Sequence, residues 1–309
     1  MIEGLVIAIF GPTASGKSAV AERLADLIPA ELVSADAMQV YRGLPILTNQ
    51  PTRPTRLTAI WPLDHEGSVG EYQRLAHATV DEALAAGRTP IITGGTGLYL
   101  RAALAELELP PAPRPRARER FERVYDRLGP ERAHAALAER DPAAAAAVHP
   151  NDRRRVVRAL ELNEAGASLR PASDRLWSDH TRHPTLIVGL EVSRAELVAR
   201  IDRRTREMFQ REVVAEALAA LAGPVSATAR QVIGLEEVAS LSRADAMAAV
   251  ALRTRRYAAY QRKWMRRIPR LARIDGERPP EAPAEDVLTL AHRHEVHPFG
   301  AAWGRGRAR

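Results

Sequence analysis

Eight residues near the start of the chain, Gly11-Pro-Thr-Ala-Ser-Gly16-Lys17-Ser18, constrain its fold more than any other segment. They fit G-x-x-x-x-G-K-[ST] at every fixed position. An apolar run, Leu5 to Phe10, stands before them, and an amphipathic stretch with Val20, Leu24 and Leu27 on one side follows. Strand, glycine-rich turn and helix in that order aim backbone N–H groups at an anion, helped by the helix N-terminus. The candidate phosphate-binding residues are therefore Gly11, Pro12, Thr13, Ala14, Ser15, Gly16, Lys17 and Ser18. Lys17 adds a point charge, and the Ser18 hydroxyl is a candidate Mg²⁺ ligand. The loop names a phosphate and not a reaction. An ATP-binding kinase, an ATPase and a transferase with a diphosphate leaving group all carry one. No Asn-Lys-x-Asp occurs anywhere in the chain, which argues against a GTPase.

The remaining pattern alternates strands with helices. Glu31 to Ser34 reads as a second strand ending at Asp36, and Glu71 to Ala86 as a helix stopping at Gly87. Thr89 to Thr93 is a third strand, running into Gly94-Gly95-Thr96-Gly97 before a helix from Leu98. Such alternation implies right-handed crossovers and a parallel sheet, with ligands beyond the carboxyl ends of the strands. Ser15, Asp36 and Thr96 are thus expected to face one cleft. Pro110 to Pro115 marks a break, and Arg116 to Leu162 reads as helices only, punctuated by Gly129-Pro130, Asp141-Pro142 and His149-Pro150. Pro184 to Val192 resumes the sheet, one long helix follows from Ser193 to about Leu221, and another stretch runs from Arg243 to about Arg267. The expected division is a core over 1–112, a helical insertion over 113–180, more core over 181–290, and an unstructured tail over 291–309.

Charge adds a partner class. The net charge is +7 with a pI near 10.3, which suits a polyanion such as nucleic acid. All but two of the 45 basic residues are arginine, so part of this bias is compositional. Lys17 and Lys263 are the exceptions, and Lys17 is retained where a planar guanidinium would not fit. Arg253 to Arg270 holds eight basic residues and no acidic one. Tyr257, Tyr260 and Trp264 recur in it at helical spacing, which reads as core before base-stacking surface. The first apolar run is too short for a membrane span and follows Glu3, so a cytoplasmic protein without membrane contact is expected. The chain has no cysteine, which excludes disulfides and thiol chemistry.

Several blocks together carry a specific resemblance. They are the loop Gly11 to Ser18, Ser34-Ala-Asp36-Ala37-Met38-Gln39-Val-Tyr-Arg-Gly43, and Gly94-Gly-Thr96-Gly-Leu-Tyr-Leu100. His149-Pro-Asn-Asp152 through Arg154-Arg155-Val156-Val157-Arg158-Ala-Leu-Glu161, and Gln261-Arg-Lys-Trp-Met-Arg266, complete the set. In this order and spacing the chain resembles the tRNA dimethylallyltransferase (tRNA isopentenyltransferase) family up to about residue 275. The resemblance implies an α/β P-loop NTPase-like core binding dimethylallyl diphosphate in place of ATP, with an all-helical insertion that grips the tRNA anticodon stem-loop. It further implies transfer of the prenyl group to N6 of adenosine 37 by a monomer using Mg²⁺. Asp36 is then the catalytic carboxylate, and Thr13, Lys17 and Arg204 stabilise the departing diphosphate. The residues implied to contact tRNA are Asp36, Ala37, Met38, Gln39, Thr96, Arg118, Arg154, Arg155, Val156, Val157 and Arg158.

These roles make chemical sense. The exocyclic amine of adenine is a weak nucleophile, so a carboxylate that orients it and accepts its proton helps. A stacked base cannot reach a cleft, so it must be extruded and read on its edges, for which the Gln39 amide is suited. Plainer alternatives stand beside them. Asp36 is also placed to be a turn carboxylate, Thr96 an N-cap, and Arg118 part of a solvated face. The chain departs from the family at Leu47-Thr-Asn-Gln50, where Gly-Thr-Ala-Lys is usual, and also near Gln210-Arg211, at Gly234-Leu235 and at Tyr260. Competing readings are an adenylate isopentenyltransferase acting on free AMP, ADP or ATP, a small-molecule kinase, and a nucleotide-gated RNA-binding protein. His292, His294 and His297 read as tail composition and not as a metal site.

Overall fold

The computed structural model describes residues 4–109, 111, 116–169 and 175–296. Strand β1 (Val6–Phe10) passes through the glycine loop into α1 (Lys17–Leu27), followed by β2 (Ala30–Ser34). A long connection leads to α2 (Val69–Ala85), β3 (Thr89–Gly94) and α3 (Gly97–Leu104). Next come α4 (Ala117–Leu128), α5 (Pro130–Arg140), α6 (Pro142–Ala146) and α7 (Arg153–Glu164). The chain returns as β4 (Thr185–Glu191), α8 (Arg194–Gln210), α9 (Val213–Leu221) and α10 (Leu235–Ser240). It closes with α11 (Arg243–Met265), β5 (Ala272–Asp275) and α12 (Glu281–Val296). No helix among the described residues is long and apolar enough to cross a membrane.

The five strands form one parallel sheet in the order β2-β3-β1-β4-β5. β1 lies in the middle and is buried along its whole length, which is why it reads as a continuous apolar run and not as an alternating one. Ile7, Ile9, Ile91, Val188 and Leu190 pack on one face against Val20 and Leu24 of α1 and Val287 of α12. Helices α2 and α3 cover the other face. This is the P-loop NTPase-like α/β core that the phosphate loop led us to expect. The segments following β1, β2 and β3 all leave from the carboxyl edge of the sheet, where such folds bind ligands.

The chain divides into two compact units, Met1–Glu106 with Trp177–Arg309, and Leu107–Leu176. The second unit is all helical among its described residues. It has its own core of Phe121, Tyr125, Leu137, Val156, Val157 and Leu160. Asp141 and Asp152 cap α6 and α7 by accepting the amides of Ala144 and Arg155, and Pro130 and Pro142 open their helices at positions that need no N–H.

Several local expectations change. The single helix from Ser193 to Leu221 is two, because Arg211 is extended and breaks α8 from α9. Neither glycine nor proline marks the break. It lets Val213 turn fully into the interior while Glu216 reaches a loop of the sheet unit. Leu27, grouped with the buried side of α1, is 51% exposed. β5 carries Arg273 and Asp275 around Ile274, its one buried residue, so it lacks a strand's usual apolar signal. The helix α12 continues to Val296, so the expected tail begins later than 291; residues 297–309, including His297, lie outside the described residues. Most of the proline break at 110–115 does too.

Candidate active site

Gly16 takes a left-handed conformation (φ 88°) as the N-cap of α1, which glycine adopts at little cost and which turns the loop into the helix. The loop borders a cleft of about 760 Å³ in the sheet unit. Thr13, Ala14, Ser15, Gly16, Lys17 and Ser18 line it, together with Asp36, Met38, Gln39, Arg204 and Tyr257. The Ser15 hydroxyl is buried without a hydrogen-bond partner among the described residues, as a group awaiting an anion would be. Pro12 instead faces a smaller cavity behind the loop.

Three charged groups meet here. Burial brings the Lys17 ammonium down to about 8; the nearby Asp36 carboxylate opposes that shift and the Arg204 guanidinium adds to it. Lys17 Nζ donates to the Pro12 carbonyl at 3.4 Å. Arg204 Nη1 donates to Thr13 Oγ1 at 3.1 Å, and burial lowers this arginine also, against the pull of Asp36. Among the described residues Arg204 has no carboxylate within ion-pair distance, whereas its neighbour Arg200 donates to Glu196 at 2.7 Å. Arg204 therefore enters the cleft as a partly buried cation whose hydrogen bond goes to the neutral Thr13 hydroxyl. Asp36 Oδ1 accepts the Met38 amide at 2.9 Å, an Asx turn that fixes the carboxylate at the end of β2. The turn role and a place in the cleft coexist.

Thr96 behaves otherwise than expected. It stands at the N-cap of α3 but its side chain caps nothing there, and it does not line the cleft. Its Oγ1 accepts the Ala37 amide at 3.1 Å and shares a hydrogen bond of 3.1 Å with the Tyr257 hydroxyl. Gln39 lines the cleft but is also bonded to its own neighbourhood. Its amide accepts from Ser34 Oγ at 2.9 Å and donates to the Asn49 and Thr48 carbonyls at 2.9 and 3.3 Å. Its Nε2 is thus engaged by the protein's own loop, while its oxygen, bonded by Ser34, keeps a second acceptor position. That loop is the one departing from the family pattern, and Glu216 secures it by accepting the amides of Ile46 and Leu47, each at 2.8 Å. Gln50 also ties it down, donating to the Tyr41 carbonyl at 2.8 Å.

The sequence did not single out Gln261, which is 1% exposed. Its Oε1 accepts the Thr13 amide at 2.7 Å, and its Nε2 donates to the Gly95 carbonyl at 2.9 Å. A Cβ on Gly95 would stand 2.1 Å from that Nε2, so only glycine admits the contact. Gln261 belonged to a recognisable block, but nothing local reveals that it reaches a loop 248 residues upstream. The aromatic stripe beside it divides: Tyr260 is 54% exposed, Tyr257 lines the cleft, and Trp264 packs against Gly97 and the Trp177 ring.

In the helical unit, Val156 and Val157, expected among the tRNA contacts, are interior at 0% and 1% exposure. Their side chains build the core of that unit, so between Arg154 and Arg158 only the arginines are left to face outward. Arg154 is exposed, and Arg155 lies 3.5 Å from Asp152. Arg118 and Arg158 converge on Glu161, whose side chain is fully buried, at 3.5 and 3.1 Å.

Comparison with known proteins decides the family. A family model described as IPP transferase matches residues 39–268. The chain belongs to the IPP transferase family. The tRNA dimethylallyltransferase of Salinispora arenicola is 40% identical to this IPP transferase over 285 residues, covering 88% of this chain and 82% of that protein. That of Kineococcus radiotolerans is 38% identical over 307 residues, covering 93% and 94%. The crystal structure of the full-length tRNA isopentenylpyrophosphate transferase from Bacillus halodurans superposes with a TM-score of 0.67 at 29% identity, covering 96% of this chain and all of that one.

Whether the residues also fit a magnesium ion follows from the donors present. Among the described residues no group of three or more His, Asp or Glu side chains forms a cage. Ser18 and Asp36 line the same cleft, a hydroxyl and a carboxylate. That set fits Mg²⁺ held mainly by phosphate oxygens and water, its usual manner of binding.

Proposed function

We propose that this IPP transferase moves the dimethylallyl group of dimethylallyl diphosphate to N6 of adenosine 37 in tRNA. The observation carrying this reading is that Thr13, Lys17 and Arg204 share one cleft with the fixed carboxylate of Asp36. The diphosphate lies on the loop amides beside Lys17 and Arg204. The five-carbon tail runs toward Met38, Leu47, Met208, Ile233 and Val250, which line the same cleft. Gly234 permits that apolar lining, since a Cβ there would come within 2.8 Å of Leu47.

The adenine N6 attacks the allylic carbon as the carbon–oxygen bond to the diphosphate breaks. Asp36 takes the proton that N6 sheds, and the electron pair leaves on the diphosphate oxygen. Lys17, Arg204 and the loop amides oppose the charge growing on that oxygen, where preorganised donors act most strongly. Magnesium held by Ser18 with the phosphates would add positive charge at the leaving group. Arg118, Arg154, Arg155 and Arg158 contact the anticodon stem-loop. The enzyme acts as a monomer in the cytoplasm, where this acceptor is found.

Incubation of unmodified tRNA with labelled dimethylallyl diphosphate tests the reading, with AMP and ATP as parallel acceptors. Label on adenosine 37 is the expected result. Label on free nucleotide and none on tRNA would make the enzyme an adenylate isopentenyltransferase.

A further inference from the structure

Three residues on one face of α11 each meet a different part of the loops after β1 and β3. Tyr257 reaches Thr96, Gln261 reaches both Thr13 and Gly95, and the Trp264 ring occupies the space that a Cβ on Gly97 would need. Of these only Gln261 bridges two loops, and it does so with both ends of one buried amide. Its acceptance of the Thr13 N–H engages one amide of a loop that ordinarily offers its donors to an anion. The same bond sets the Thr13 side chain, whose Oγ1 receives Arg204.

We infer that Gln261 is a positioning residue for the transfer, holding Thr13, and through it Arg204, at the place where charge develops on the leaving oxygen. This rests on the proposed reaction. Its content is that Gln261 acts on the rate and not on the binding of either substrate. The remaining loop amides and Lys17 do not depend on it for their contacts. Displacement of a catalytic group by about 1 Å from a distant change costs on the order of 10²-fold in rate.

The amide also has a chemical replacement that can be switched. A protonated glutamic acid has one acceptor and one donor oxygen, matching the needs of the Thr13 N–H and the Gly95 carbonyl, whereas a carboxylate has no donor. Gln261→Glu should therefore lose transfer at high pH and recover it, relative to the native protein, as pH falls. Gln261→Met, of similar length with neither group, should lose about 10²-fold at every pH. Single-turnover transfer to an unmodified stem-loop, with saturating dimethylallyl diphosphate, measures both. Affinities for inorganic diphosphate and for the stem-loop should stay within about twofold of native.

Recovery of Gln261→Glu at low pH, with Gln261→Met flat, is the expected result. Native rates in Gln261→Met overturn the inference. So does a loss carried wholly by weaker diphosphate binding. If Gln261→Met does not fold, the pH response of Gln261→Glu alone decides, and a constant deficit overturns the inference. A native protein that transfers nothing defeats the reading of the function, and this inference with it. An active native protein matched by its variants defeats this inference alone.

Discussion

Asp36 and Lys17 are the residues whose chemistry is most exposed to test. Asp36→Asn keeps the shape and the Asx turn but removes the proton acceptor. A positioned base is worth about 10²- to 10⁴-fold, or roughly 3 to 5 kcal/mol of barrier. The loss should fall on kcat, with diphosphate affinity retained, because Lys17 and the loop amides are untouched. Unchanged single-turnover rates would remove Asp36 from the mechanism. Lys17 predicts a pH dependence of a definite sign. In the free protein it carries its proton below about pH 8 and sheds it above. A bound diphosphate favours the ammonium, so above pH 8 binding must draw a proton from solvent. The Lys17 contribution then makes apparent affinity weaken by up to about tenfold per pH unit above pH 8. Titration calorimetry in two buffers of different ionisation heat would detect the proton uptake. Its absence at pH 9 would mean that Lys17 is not the cation involved.

At the scale of elements, the helical unit shows how a basic surface is built. A helix-spaced block such as Arg153 to Glu164 alternates what faces the core with what faces solvent, so its arginines are the side chains left to meet a polyanion. Replacing Arg154 and Arg155 together with alanine should weaken stem-loop binding and flatten its salt dependence. For every phosphate that an arginine no longer neutralises, the slope of log K against log salt falls by up to about 0.9, less where the RNA is single-stranded. An unchanged slope would return both residues to a solvated face. Glu161 belongs to the same element but to its interior. Glu161→Ala leaves Arg118 and Arg158 without their shared partner and opens a buried site. The buried charge itself is removed and both arginines are partly exposed, Arg118 keeping Glu122 and Arg158 the Pro111 carbonyl, so the cost is about 1 to 3 kcal/mol. Hydrogen exchange across α4 and α7 would register the change, and protection equal to native would show that the arginines hold themselves in place.

At the scale of the whole molecule, the cleft is completed by chain from both ends of the sequence, so ligand and stability are linked. Inorganic diphosphate at about 100 times its Kd should add about 2.7 kcal/mol. For the sheet unit that corresponds to a Tm rise on the order of 5 to 10 °C, checked by scanning calorimetry. Lys17→Ala should show little of this rise, and a full rise in that variant would place the anion elsewhere.

What the sequence determined by itself was set by short-range patterns: the phosphate loop, the alternation that makes a parallel sheet, and the helical run between Arg116 and Leu162. Each follows from backbone geometry and burial repeating over a few residues, which leaves a local trace. Even the place of Asp36 follows, because a residue just past a parallel strand must lie at the ligand edge. The tertiary structure alone decided how the side chains are spent. It bonded the Gln39 amide to the Thr48 and Asn49 carbonyls, took the Thr96 side chain from the cap of α3 to the Ala37 amide, and broke α8 from α9 without glycine or proline. It also brought Gln261 to Thr13 across 248 residues. The physical reason is that a buried polar side chain must find its partner among whatever groups packing brings near, and packing joins segments whose separation along the chain carries no periodicity to read.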